Sequence, residues 1–217
     1  MNYFSEKDIR DIVSNVLAQS GLSAAGGMDV PVEISAKHVH LTAEAVETLF
    51  GKGHSLTPKR DLSQPGQFLS EERVKLVTTR GEIANVAVLG PVRSAVQVEL
   101  SITDARGLGV DAPIRLSGDL KGAGDVVIVG PCGVVTARAS AIVAKAHVHM
   151  TPEDARHYGV QDGEAVDIRL ETERPVTLND VLVRVSPTAA LAVHIDFDEA
   201  NAARLSGAAA GKLMKRR

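Results

Sequence analysis

Two short runs of the chain place histidines two residues apart, His38-Val39-His40 and His147-Val148-His149. In a strand, alternate side chains share one face, so each run can present two imidazoles side by side. Two imidazoles at that spacing suit one tetrahedral zinc, which needs a third protein ligand and leaves a position for substrate. A lone His-x-His among seven histidines reads as readily as a chance pair on a polar strand. Two copies in matching context do not. Ala36-Lys37-His38-Val39-His40-Leu41-Thr42 is echoed by Ala144-Lys145-Ala146-His147-Val148-His149-Met150-Thr151, and a short helical pattern follows each.

The third ligand must come from elsewhere. Glu99, in the alternating run Gln97-Val98-Glu99-Leu100, also reads as a solvent-facing strand residue. His194, in the apolar run Leu191-Ala192-Val193-His194-Ile195, also reads as a core histidine. The pattern leaves both open. His54 and His157 lie in polar surroundings and read as surface residues. The single cysteine, Cys132, rules out a disulfide within the chain and a Cys-rich zinc site. Following Gly130-Pro131, it reads as a small buried thiol rather than the nucleophile of a covalent route. Lys59 and Arg60 beside Pro58 read as a solvated turn, and Lys121-Gly-Ala-Gly124 lacks the spacing of a phosphate-binding loop.

These groups need elements to hold them. From about residue 29 the chain reads as short strands punctuated by Gly and Pro: Val30–Ile34, Val74–Thr78, Ile83–Leu89, Val96–Ile102, Val126–Val129, Ala141–Ala144, Val166–Leu170 and Val181–Val185. Short helices are predicted at Ala43–Leu49, Pro152–Tyr158 and Asp198–Leu205. The fold class is mainly β with short α-helices, in the manner of barrels or sandwiches. A second echo links Asp104–Val110 to Asp154–Val160, and the two echoes imply two related modules. Residues 5–20 carry Ile9, Ile12, Val13, Val16 and Leu17 at helical spacing, which predicts an amphipathic helix. A Gly-containing linker follows to residue 27. Lys212, Lys215, Arg216 and Arg217 read as a basic, solvated tail over 207–217.

The 217 residues suffice for one large or two small domains. With 44% hydrophobic and 24% charged residues, the chain reads as globular and soluble. Aromatics are only 3% and Trp is absent, so Val, Ile, Leu and Ala must build the core, and stacking on nucleic-acid bases is disfavoured. A formal charge of −3 offers no field for nucleic acid or an anionic membrane. A reducing cytoplasm is expected.

The chain resembles the PduL-type phosphotransacylases, the phosphate propanoyltransferases of propanediol utilisation. The carriers are Ile34–Leu41, Leu62–Phe68, Leu89-Gly90-Pro91-Val92-Arg93 leading to Gln97-Val98-Glu99, Ala146–Met150 and His194-Ile195-Asp196. The resemblance spans about Val30 to Leu205. It implies transfer of an acyl group, propanoyl by expectation, between coenzyme A and inorganic phosphate. It implies two β-barrels with the active site between them, one discontinuous (28–36 plus 145–206) and one continuous (37–144). It implies two zinc ions, the first on His38, His40 and Glu99, the second on His147, His149 and His194. Arg93 is implied as the phosphate-binding residue, and Ser35, Lys37, Arg80 and Asn201 as contacts to coenzyme A. A homo-oligomer in the bacterial cytoplasm is expected. Residues 5–20 resemble the peptides that direct enzymes into bacterial microcompartments by meeting a partner helix. Two other readings remain, a zinc-dependent thioesterase with water in place of phosphate and a zinc-stabilised non-catalytic microcompartment module.

Overall fold

Alternating Val-rich segments close into two rings in the computed structural model, which describes residues 28–207 and 209–216. The expected helix at 5–20 and its linker lie outside the described residues. The first ring contains β1 (Met28–Ile34), β10 (His147–Met150), β11 (Ala165–Leu170), β12 (Val176–Val185), β13 (Ala192–Ile195) and β14 (Ala209–Lys215). Its strands run in the order β1-β13-β10-β12-β11-β14 and close on themselves. The second contains β2 (His38–His40), β4 (Phe68–Val77), β5 (Glu82–Gly90), β6 (Gln97–Leu100), β8 (Gly124–Val129) and β9 (Val134–Ala144). Here β8 pairs with both β4 and β9, which closes the order β4-β5-β2-β6-β9-β8. Two short strands, β3 (Pro58–Asp61) on β4 and β7 (Ile114–Arg115) on β9, attach outside this ring.

The rings have the same plan. β2 lies antiparallel to β6 and parallel to β5, as β10 lies antiparallel to β13 and parallel to β12. A parallel partner, β9 or β1, flanks β6 or β13. Each of these partners leads straight into the histidine strand of the other ring, so the chain crosses over twice, at β1–β2 and β9–β10. One bulge also recurs. A single residue, Lys75 or Asp167, faces two on the next strand, and Asn85 and Asp180 there adopt φ of 58° and 62°. Asn and Asp tolerate this left-handed region better than other side chains.

Among the described residues, four short helices sit where polar caps interrupt strands. α1 (Ala43–Phe50) follows β2, α2 (Ile102–Leu108) follows β6, α3 (Pro152–Tyr158) follows β10 and α4 (Phe197–Ala202) follows β13. Thr42, Ser101, Thr151 and Asp196 each accept a hydrogen bond from the backbone N–H three residues on. Ser101 thereby ends the strand that the sequence extends to Ile102, and α2 is a helix the sequence reading lacks. α2 and α3 stop alike, with Gly109 and Gly159 at φ 66° and 65° and the next valine N–H returning to Ala105 or Ala155. This shared stop accounts for the Asp104–Val110 and Asp154–Val160 echo, since the two helices occupy non-equivalent places in the two rings.

The C-terminal segment corrects the solvated-tail reading. Residues 209–215 form β14, which pairs with β1 and β11 and closes the first barrel as β8 closes the second. Leu213 is buried there, Lys212 pairs with Glu171 at 3.1 Å, and Arg216 reaches Asp167 and Asp180. Each barrel has its own core, Val30, Val148, Met150, Ile168 and Leu170 in one and Val39, Leu76, Val88, Val98 and Ile128 in the other. Between barrels, the Gln64 amide donates to Ala190 O at 2.9 Å and accepts from Ala190 N at 3.2 Å. Ser63 donates to Glu33 at 2.6 Å.

Candidate active site

The crossovers bring the two histidine strands together. Val39 and Val148 turn into the barrel cores and are fully buried, so the histidines on either side of each turn the other way. In β2, His38 stands opposite Glu99 of β6. In β10, His147 stands opposite His194 of β13. Glu99 and His194 therefore hold the same place in the two barrels. His38, His40 and Glu99 form one trio and His147, His149 and His194 the other, with the ligand atoms of each trio within 4.8 Å of one another.

Backbone contacts aim the rings. His38 Nδ1 donates to Ala36 O and His147 Nδ1 to Lys145 O, both at 2.8 Å. A carbonyl only accepts, so these contacts put the proton on Nδ1 and leave Nε2 as a lone pair. His38 Nε2 then faces Glu99 Oε2 at 3.5 Å, and His147 Nε2 faces His149 Nε2 at 3.1 Å. Acceptors facing acceptors are unfavourable unless a proton or a cation lies between them. Buried His40 Nδ1 and His194 Nε2 have no hydrogen-bond partner. Glu33 Oε2 lies 3.4 Å from His194 Nε2 without completing that bond. The donor sets are N,N,O and N,N,N. Tetrahedral zinc holds such donors at about 2 Å, which separates them by about 3.3 Å. Both trios fit a zinc ion.

Burial also suits ligands that must be unprotonated. It lowers His40 to about 3, with the charges of His38 and Arg93 adding to the effect. It lowers His147 to about 4, partly offset by the bond to Lys145 O. It lowers His149 to about 3, helped by His147 and His194. His38 differs: burial pulls it down, but the Glu99 carboxylate more than offsets this and leaves it raised. Burial pushes Glu99 up, but His38 and His40 outweigh it and hold the carboxyl well below its usual range.

Both trios line one cavity of about 650 Å³ between the barrels. Ser35, Lys37 and Arg93 line it as well. Arg93 donates to Ser117 Oγ at 3.1 Å. Gln97 donates to Ser117 at 2.8 Å and to Glu99 at 2.6 Å, joining the Arg93 guanidinium to the Glu99 trio. Lys37 is paired with Asp104 at 3.0 Å. Arg80 and Asn201 are exposed and stand outside the lining. Arg60, read as part of a solvated turn, lies on β3 and lines the cavity. Cys132 is exposed, which corrects its reading as a buried thiol, and it stands apart from the cavity. His54, read as a surface residue, is half-buried and paired with Glu72 at 2.8 Å, whereas His157 is exposed. Sequence reasoning missed Glu33, Gln97, Ser117 and Arg184. The available signal for Arg184 was its place on a strand with alternate valines, Val181, Val183 and Val185.

No helix among the described residues is long and apolar enough to cross a membrane. A sequence profile described as phosphate propanoyltransferase matches residues 31–206, which include both trios and Arg93. The phosphate propanoyltransferase of Alkaliphilus metalliredigens is 44% identical over 210 residues, covering 97% of this chain and 99% of the relative. That of Thermotoga maritima is 50% identical over 176 residues, covering 81% and 84%. That of Clostridioides difficile is 43% identical over 211 residues, covering 97% and 99%. With a matched profile over most of its length and relatives at this identity, the chain belongs to the phosphate propanoyltransferase family.

Proposed function

We propose that the protein transfers an acyl group, propanoyl by preference, between coenzyme A and inorganic phosphate, with a zinc ion on each trio. The observation that carries this reading is the convergence of two three-donor metal sites and the Arg93 guanidinium on one cavity. Three protein donors per site favour an open, reactive metal over a closed structural one. Zinc bound there supplies a Lewis acid and an open coordination position for oxygen or sulfur. Arg93 holds two phosphate oxygens with its fork, and Ser117 fixes the orientation of that fork. Ala36 O and Lys145 O hold the His38 and His147 rings so that Nε2 faces inward. Ser35, Lys37, Arg80 and Asn201 bind coenzyme A. Ser35 and Lys37 line the cavity, and Asn201 lies one turn from Phe197, which also lines it.

A phosphate oxygen held in this way attacks the thioester carbonyl, the new C–O bond forms as the C–S bond breaks, and coenzyme A leaves as its thiolate. No acyl-enzyme is required, in keeping with the distance of Cys132 from the cavity. Enclosure between the barrels limits access of water, which would otherwise hydrolyse the thioester. Residues 5–20 act as a targeting segment for a microcompartment, a reading supported by the spacing of their apolar residues. Loss of encapsulation of a fused fluorescent protein on Ile12→Asp and Val16→Asp substitution would test it.

The test of the activity is phosphate-dependent release of CoA from propanoyl-CoA, with acyl phosphate trapped as the hydroxamate, alongside His38→Ala, His147→Ala and Arg93→Ala. Release that needs phosphate and collapses in the histidine variants is expected. Release indifferent to phosphate would make the protein a thioesterase. No release from zinc-loaded protein would leave a non-catalytic module.

A further inference from the structure

We propose that Arg184 is a second phosphate-binding residue, which grips the phosphoryl group from the His147 side of the cavity while Arg93 grips it from the His38 side. The inference rests on the acyl-transfer reading above. β12 runs parallel to β10 with Arg184 in register with His149. Residues paired in this way share a face of the sheet. Val181 and Val183 on the same strand are fully buried in the barrel core, so Arg184 projects from the side that carries the histidines. Its side chain lines the same cavity as Arg93 and both trios.

Arg184 also stands out by its lack of partners. Arg73, on the same cavity wall, donates to the carbonyls of Ser70 and Glu72 at 2.6 and 2.7 Å. Lys37 is paired with Asp104, and Arg93 is bonded to Ser117. Among the described residues the Arg184 guanidinium makes no hydrogen bond and no ion pair. Burial disfavours the charge of Arg93, and the charge of Arg184 adds to that effect. Two half-buried guanidiniums that repel one another across a cavity call for an anion between them. The carboxylates of this wall, Glu33 and Glu99, are each turned to a histidine. Phosphate, with four oxygens and close to two negative charges, can accept from both forks at once. The level of Arg184 argues against the phosphates of coenzyme A. It neighbours His149 at the depth of the trios, whereas Ser35 and Lys37 lie at the β1–β2 crossover.

The test uses zinc-loaded full-length protein with Arg184→Met, which keeps the stem without the charge, and Arg184→Lys, which keeps the charge without the fork. Steady-state rates are measured against phosphate and against propanoyl-CoA, and inorganic phosphate binding is titrated by calorimetry. Arg184→Met is expected to raise the KM for phosphate and weaken phosphate binding by at least about 10-fold, the loss of a charge-assisted bond. The KM for propanoyl-CoA should stay within about twofold and zinc at two per chain. Arg184→Lys should fall between the two proteins. If Arg184→Met does not fold, phosphate binding to Arg184→Lys equal to wild type overturns the proposal. A raised KM for propanoyl-CoA with phosphate unaffected also overturns it, by assigning the guanidinium to coenzyme A. Wild-type protein without phosphate-dependent release would instead overturn the acyl-transfer reading. Active wild type with unaffected Arg184 variants sinks this inference alone.

Discussion

The two barrels repeat one scaffold and place different chemistry on it. His38 and His147 each hold Nδ1–H against a carbonyl two residues back, and each faces the next strand at the same register position. That position holds Glu99 in one barrel and His194 in the other. The Glu99 trio is buried throughout, whereas His149 and His194 are only half-buried. A carboxylate cancels one charge of a bound dication, and three neutral imidazoles cancel none. The His147 trio is therefore the more cationic donor set, and its nearest carboxylate, Glu33, stands outside the trio at 3.4 Å from His194, with Arg184 in register beside His149. The His38 trio, tied through Gln97 and Ser117 to Arg93, is the more enclosed, and its carboxylate is itself one of the donors. A duplicated frame thus fixes where donors stand, and one residue type at one position sets the charge they face.

Removing either trio should have the largest effect. His38→Ala and His147→Ala should each lower zinc from two per chain to one and reduce kcat by about 10³-fold, equivalent to about 4 kcal/mol of transition-state stabilisation. Metal analysis and steady-state kinetics check both. The ligand exchange Glu99→His probes the comparison more finely. It should keep two zinc ions yet lose activity, because the number of donors is kept while the carboxylate charge and its bond from Gln97 are lost. Unchanged activity in Glu99→His would mean that the charge asymmetry is irrelevant.

The closing strands come next in size. Leu213 on β14 and Ile128 on β8 occupy corresponding places and are both buried. Leu213→Ala and Ile128→Ala should each cost about 3 kcal/mol in denaturant unfolding. A cost below about 0.5 kcal/mol for Leu213→Ala, as expected at a surface position, would return residues 209–215 to the status of a tail.

That strand shows what the sequence conceals. Ala209-Ala-Gly-Lys-Leu-Met-Lys215 has no alternation of bulky residues, and its lysines suggest solvent. Gly211 is small because it packs on Ile168, Val32 and Leu170, and Lys212 finds Glu171. Only the need to close a six-stranded ring makes a strand of it. The helix at Ile102–Leu108 was hidden by the apolar run before it, since the cap at Ser101 is a single hydroxyl. The trios were more legible. His-x-His reads directly from strand alternation, whereas Glu99 and His194 need the register that sets them opposite the first histidine of each pair. Arg184 escaped for the same reason, since its neighbour His149 is 35 residues away and parallel pairing between distant strands is not written in local pattern.

Acid should separate the barrels in zinc-free protein. His147 is held at about 4 against an ordinary 6.5. An unfolded chain therefore binds its proton as pH falls from 6.5, and the folded protein does so only near 4. Stability is present above 6.5 and is lost on acidification, by about 2 kcal/mol at pH 5 for His147, with the more open His149 adding a smaller share. In the other barrel His40, held at about 3, has the same sign. His38 has the opposite sign, because its raised value stabilises the fold below 6.5 and loses that contribution as pH rises. Amide protection, taken relative to the intrinsic exchange rate at each pH, should fall on acidification from pH 7 to 5 in β10, β12 and β13 before β2, β5 and β6. Equal losses in the two barrels would show that Glu99 provides no such compensation.

The smallest difference lies at the helices that follow the histidine strands. Thr42 caps α1 with a single bond to Ala45 N, because the residue at the third helical position is alanine and cannot reply. Thr151 caps α3 within a capping box, in which Asp154 accepts from Thr151 N at 2.9 Å and Pro152 presets the first turn. Replacing Thr151 by alanine leaves Asp154 N–H without its acceptor and loosens the reply. Thr42→Ala loses only one bond. The expected costs are about 1.5 kcal/mol for Thr151→Ala and about 1 kcal/mol for Thr42→Ala, read as unfolding midpoints at constant slope. Because α1 and α3 begin three residues after His40 and His149, a frayed first turn should also loosen the second histidine of its trio. Zinc affinity should therefore fall at the His147 site in Thr151→Ala and at the His38 site in Thr42→Ala, each leaving the other site unchanged. Cross-effects between the barrels would show that the two metal sites are coupled through the cavity rather than held separately by their own helices.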